Sequence, residues 1–256
     1  MKLSQLAVQF YTLRDHCKTA ADFAASARKV RALGYTAAEL AGLGPIPEDE
    51  IGRILAGEGL TLCSVHAAPD KILHEPTWVI DHLQKLRCNY VAYPYPHGID
   101  LTSLEAVTEF ARKLDSAGAL LRAAGITLSY HNHAHEFFRV EGAAVLTHLY
   151  RLTSPAHLQA ELDTYWVQAG GGDPVAWCDQ LTGRLPVMHL KDFCVGQDFK
   201  GTFCEVGRGN LDWQRILHAA RRARCEWYVV EQDVCPGDPF ESLKISYDFL
   251  APLAVE

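Results

Sequence analysis

The chain of 256 residues has only two methionines, no Cys-x-x-Cys pair and no surplus of positive charge. Its 24 lysines and arginines face 31 aspartates and glutamates, a net charge of -7. That balance argues against a protein built to embrace nucleic acid, whose phosphates need a cationic face. The eight cysteines, at 17, 63, 88, 178, 194, 204, 225 and 235, stand singly, several in apolar runs such as TLCSV around Cys63. They read as small core residues of a reducing compartment. No apolar run is long enough to cross a bilayer. The opening MKLSQLAVQFYTLRD also lacks the apolar core and small-residue cleavage site of a signal peptide. A cytoplasmic protein with neither membrane nor nucleic-acid partners is expected.

There is no low-complexity tract and no Ser/Gly-rich linker. Short β-rich runs alternate instead with helical ones. The strand candidates are 6–11, 35–40, 61–67, 89–94, 126–132, 158–163, 186–191 and 226–232. Amphipathic stretches between them include 20–33, 103–124 and 212–223. Asp173-Pro174 has the form of an N-cap followed by a first-turn proline, and Gly34 and Gly125 each close a helical run just before a strand. Eight strands alternating with helices over this length predict one (β/α)8 TIM barrel spanning residues 1–256. A doubly wound open sheet is the runner-up; it lacks a GxGxxG turn after the first strand.

Barrel chemistry sits at the C-terminal strand ends, and residues two apart on a strand share a face. The fifth strand then turns Ser129, His131 and His133 one way, leaving Tyr130 and Asn132 as structural residues on the other face. The sixth pairs Glu161 with Asp163, the seventh His189 with Lys191, and the eighth Glu231 with Asp233. Earlier strands offer Glu39 and His66. Four consecutive strands thus end in a residue able to bind a divalent metal: His131, Asp163, His189 and Glu231. Imidazole plus carboxylate suits Mn, Fe, Co or Zn. His135 is expected to be solvated or capping. Glu136, beside the mouth, is placed either to bind a substrate hydroxyl or to orient a histidine.

The segments GITLSYHNHAHEF, AELDTYW, VMHLKD, EVGRGNLDW and YVVEQD, in that order, resemble the xylose-isomerase-like TIM barrel superfamily. Its members include sugar isomerases and epimerases, inosose dehydratase, dehydroshikimate dehydratase and endonuclease IV. The likeness spans nearly the whole chain; it marks the superfamily strongly and any single activity weakly. It implies one divalent ion, manganese first, with Zn, Fe, Co and Mg as alternatives. The ligand slots, ordinarily Glu, Asp, His and Glu, fall on His131, Asp163, His189 and Glu231. His131 departs from the pattern and breaks the symmetric carboxylate pair of the epimerases. Endonuclease IV carries a zinc-binding histidine where this chain has Trp166, which sets DNA repair aside and leaves Trp166 as an aromatic wall or core residue.

The resemblance therefore implies a metal-dependent sugar isomerase or epimerase working through an enediolate on a small polyhydroxylated carbonyl compound, a sugar or inosose. The alternative is a dehydratase of the inosose type or cleavage of an oxidised sugar, and a non-catalytic sugar-binding barrel is the third possibility. Glu231 is the first candidate base and His133 the second, with Lys191 stabilising oxyanion charge. His66, Glu136, Trp166, Arg14 and Arg208 are the candidate substrate contacts. The glycine-rich run from Asp192 to Asn210 suits a lid or a surface loop. A homodimer is the family-based expectation.

Overall fold

The computed structural model describes residues 1–254. Eight parallel strands close on themselves: β1 (Leu6–Gln9), β2 (Ala37–Leu40), β3 (Thr61–His66), β4 (Tyr90–Tyr93), β5 (Thr127–His131), β6 (Gln159–Asp163), β7 (Val187–Leu190) and β8 (Trp227–Val230). Each predicted strand contains the observed one, and β1 pairs with both β2 and β8 to seal the barrel. The fold class is the predicted (β/α)8 barrel. The principal helices outside it are α1 (Ala20–Ala32), α2 (Glu48–Gly57), α3 (Pro76–Leu86), α4 (Leu104–Ala123), α5 (Val145–Leu152), α6 (Pro174–Gln180), α7 (Trp213–Arg222) and α8 (Pro239–Leu250).

Local chemistry explains where these helices begin and end. Thr19 and Asp22 form a capping box on α1; Ser103, Asp173, Asp212 and Asp238 each accept a first-turn amide at their helix starts. Gly34 follows α1 at φ 110°, and a Cβ there would lie 2.3 Å from the Tyr247 ring. Only glycine fits that exit.

Strand alternation sorts the core into two parts. Outward residues such as Val8, Ala38, Leu128, Leu162 and Leu190 join the large apolar sheath between barrel and helices. Each fully buried leucine there contributes roughly 1.5–3 kcal/mol. Inward, Ala7, Ala37, Cys63, Val187 and Val229 make a small separate plug. The register sets Gln9 beside Glu39, His131 beside Glu161, and Asp163 beside His189. Polar side chains from neighbouring strands therefore meet inside the barrel's C-terminal end.

Two hairpins decorate that end. Arg139–Val140 pairs with Ala143–Ala144, and Asp192–Val195 pairs with Gly201–Cys204. The second hairpin resolves the run from Asp192 to Asn210 into ordered structure. The Asp192 carboxylate accepts from the amides of Gly207, Gly209 and Leu211 and from Trp213 Nε1 at 2.7–3.3 Å. All eight cysteines are free thiols, as the sequence predicts. No helix among the described residues is long and apolar enough to cross a membrane.

Candidate functional site

The strand ends open into a cavity of about 580 Å³ whose walls include His66, His131, His133, Lys191, Glu231 and Asp233. Its floor is built in two layers. The upper layer holds Asp163, Glu231, Asp233 and Lys191. The lower layer holds Gln9, Glu39, His66 and Glu161. His131 and His189 stand between them, each turning one ring nitrogen up and the other down.

In the upper layer the buried Lys191 ammonium lies 2.8 Å from Glu231 Oε2, 3.0 Å from Asp233 Oδ1 and 3.1 Å from Asp163 Oδ2. Burial alone would lower its pKa, but these carboxylates raise it and keep the charge on. Burial opposes ionisation of Glu231 as well; Lys191, followed by His189 at 2.8 Å, overcomes it and holds the carboxyl well below the usual range. Burial pushes Asp163 up to about 6 against the pull of Lys191. Burial and Glu231 together raise Asp233.

Asp163 divides its two oxygens. Oδ1 accepts from Trp166 N and caps the short helix Thr164–Ala169, while Oδ2 faces the site. The Asp163 amide donates to Asn132 Oδ1 at 3.0 Å, so the outward-facing asparagine ties β5 to β6.

In the lower layer Gln9 donates to Glu39 Oε2 at 2.9 Å, and the same oxygen lies 2.5 Å from His189 Nε2. Glu161 Oε1 lies 2.6 Å from His66 Nε2 and 3.2 Å from both His131 Nδ1 and His189 Nε2. The two carboxyls divide in character. Burial and the Glu161 charge raise Glu39, whereas His66 and His189 outweigh burial at Glu161 and hold it well below the usual range. Burial would lower His189, but Glu39 and Glu161 raise it well above an ordinary histidine. Burial and neighbouring His189 depress His131 to about 3.

His131, Asp163, His189 and Glu231 each offer a ligand atom, all within 4.8 Å of one another. Asp163 Oδ2 is buried and, among the described residues, has the Lys191 ammonium at 3.1 Å but no hydrogen bond. Two imidazoles and two carboxylates are a mixed N/O set that fits a divalent transition ion, and holding one requires the rings to give up protons.

Several candidate contacts lie outside the cavity lining. Glu136 is fully buried and accepts from Tyr130 Oη and His133 N, both at 2.8 Å. It fastens the turn that carries His133 instead of reaching the cavity. Arg208 is exposed and outside the cavity lining, because the glycine amides on either side of it are drawn to Asp192. Trp166 also does not line the cavity; its ring packs 5.2 Å from His133 and 5.6 Å from Phe203. It backs the wall of which His133 is the face. His135 is exposed and stacks on His133.

Arg14 does line the cavity. It lies over Tyr11 and donates to the carbonyls of Tyr11 and Asp233. Asp233, which shares a strand face with Glu231, also lines the cavity, a placement that no motif in the sequence signals.

No curated protein matches this chain. Among solved structures, a sugar phosphate isomerase/epimerase from Parabacteroides distasonis superposes with a TM-score of 0.82 at 22% identity, covering 97% of this chain and 94% of its own. An L-ribulose 3-epimerase gives 0.75 at 15% identity, covering 97% and 94%. The probable 3-DHS dehydratase of Bacillus anthracis gives 0.74 at 12%, covering 98% of each chain. These likenesses concern the fold. The family model described as xylose isomerase-like TIM barrel matches residues 27–253, and by that match the chain belongs to this family.

Proposed function

We propose that this protein is a divalent-metal-dependent sugar isomerase or epimerase acting on a small polyhydroxylated carbonyl compound, a sugar or inosose. The observation carrying the proposal is the convergence of His131, Asp163, His189 and Glu231, from four consecutive barrel strands, with His131 and Glu231 lining a cavity of about 580 Å³. An ion bound there supplies Lewis-acid polarisation of a substrate carbonyl and its neighbouring hydroxyl.

We assign the remaining work to this chain's own groups. Glu231, held as an anion by Lys191 and His189, is better suited to hold a cation than to collect a proton. This moves the base role away from the residue expected to take it. Asp233 is the stronger candidate: it lines the cavity, and burial with Glu231 lifts its pKa toward the working range of a general base. His133 faces the same cavity from the fifth strand. Burial, reinforced by His131 and Lys191, holds it neutral with a pKa of about 2. With Asp233 taking the substrate proton, enediolate charge beside His133 would favour protonation of its free lone pair from solvent, and the imidazolium would return that proton to the intermediate. Asp233 and His133 would thus replace the symmetric carboxylate pair that His131 interrupts. Lys191, saturated by three carboxylates, keeps the upper layer's net charge low in place of the oxyanion contact expected for it.

The same His131 substitution favours a second reading, dehydration of an inosose-type substrate, which needs one proton removed and a β-hydroxyl expelled. A sugar and inosose panel in deuterated water separates the outcomes. Isomerisation places deuterium on the neighbouring carbon, epimerisation on the same carbon, and dehydration yields an unsaturated or deoxy carbonyl product. A panel without exchange or turnover, on protein carrying about one equivalent of Mn, Fe, Co or Zn, would leave the sugar-binding barrel as the better description.

A further inference from the structure

We infer that the barrel holds a second seat for a divalent transition-metal ion, one layer below the first, formed by His66 Nε2, His131 Nδ1, His189 Nε2 and the Glu161 carboxylate, with Glu39 beside it. It relies on the reading above only in sharing His131 and His189.

Three ring nitrogens from three different strands converge on a single oxygen. His66 Nε2 is 2.6 Å, His131 Nδ1 3.2 Å and His189 Nε2 3.2 Å from Glu161 Oε1. The four residues offer ligand atoms within 4.8 Å of one another. A tetrahedral ion with N and O ligands near its usual bond length spaces those atoms about 3.4 Å apart, so the two 3.2 Å separations from Glu161 Oε1 already fit and the 2.6 Å one to His66 needs to open by less than roughly 1 Å. A second observation points the same way. Glu161 Oε2 and Glu39 Oε1 are buried with no hydrogen-bond partner among the described residues, leaving two carboxylate oxygens with unused lone pairs in this layer. Three imidazoles and a carboxylate favour Zn, Co or Fe over Mg. His66 also lines the mouth cavity, which gives an incoming ion a path.

The two seats use opposite nitrogens of the same rings. His189 turns Nδ1 to Glu231 and Nε2 to Glu39, and His131 turns Nε2 toward Asp163 and Nδ1 toward Glu161. Filling both at once strips each shared ring of both protons, so occupation of one seat weakens the other.

The test is a Co²⁺ titration of chelator-stripped protein, followed by visible absorption and by metal content. Four proteins are compared: wild type, His66→Gln, Asp163→Asn/Glu231→Gln, and the triple variant. The double variant is expected to retain about one equivalent of Co²⁺ in a band characteristic of nitrogen ligands, and adding His66→Gln is expected to weaken that binding at least tenfold. His66→Gln alone is expected to shift the wild-type spectrum. A double variant that binds no Co²⁺ while keeping the wild-type circular dichroism and Tm overturns the second seat; full binding by His66→Gln would then leave the upper site standing. Should the double variant fail to fold, the single variant decides: superimposable titrations and spectra for wild type and His66→Gln overturn the proposal, and a shifted band supports it. Wild-type protein that binds no Co²⁺ overturns both seats.

Discussion

The barrel interior changes character within two residues. Toward the N-terminal strand ends, Ala7, Ala37, Val187 and Val229 form a dry plug with Cys63. Two positions further along the same four strands stand Gln9, Glu39, His189 and Glu231, all buried. The backbone ladder is the same on both levels, so the ladder does not make the site. Side-chain identity at alternate positions does. The plug consists of small apolar groups and needs no partners. The layers above it are ionic, and they persist because almost every charge is met by another. Two buried cations sharpen the contrast. Arg184, in the loop before β7, donates to the carbonyls of Leu158, Tyr150 and Thr153 and to Thr153 Oγ1, all neutral oxygens. Lys191, just beyond the other end of the same strand, faces three carboxylates.

The hardest break in this comparison is His189→Ala. Losing the residue that both proposed seats share is expected to abolish ion binding and cost several kcal/mol of transition-state stabilisation, or about a thousandfold in turnover. It also leaves Glu39 and Glu231 short of a cation, which costs about 3–5 kcal/mol of stability. Metal content, turnover and urea denaturation measure the three effects; a variant that keeps its ion and its turnover would remove the site from these strands. At the opposite end, Arg184→Met strips partners from three buried carbonyls and is expected to cost about 3 kcal/mol of stability while the folded fraction turns over normally. A change in substrate affinity in this variant would mean that the two ends are not independent.

The difference between the levels also decided what the sequence could reveal. The barrel was legible because outward positions such as Leu162 and Leu190 repeat with period two against an apolar sheath. The inward phase of His131, Asp163, His189 and Glu231 was legible for the same reason. The sequence could not show that Glu136 folds back under its own turn, because that depends on Tyr130 reaching it from the outer face. Nor could it place Arg208, for a similar reason. Its position depends on Asp192 gathering glycine amides from 15 and 17 residues away, a closure that no periodicity encodes. Glu39 stood on an early strand with no local motif, and only barrel closure sets it 2.5 Å from His189.

Val229→Ala tests the plug more gently. Deleting two methyls from a fully buried side chain is expected to cost roughly 1–3 kcal/mol, with turnover unchanged. A loss of turnover without loss of stability would mean the plug sets the height of the layers above it.

The smallest expected effect is the part of the pH slope that His133 contributes. His133 is neutral in the fold down to a pH of about 2, whereas an unfolded histidine protonates near 6.5. Below 6.5 the unfolded chain therefore binds a proton that the folded chain refuses, and stability falls as the pH falls. One such group contributes about 1 kcal/mol per pH unit between pH 6 and pH 4. Urea denaturation of ion-free wild type and His133→Asn across that window is expected to show the steeper acid loss in the wild type. Val229→Ala, which carries no titrating group, should run parallel to the wild type at a constant offset. Equal slopes for wild type and His133→Asn would mean that His133 already takes up a proton in the fold, and that its lone pair is not free beside the substrate.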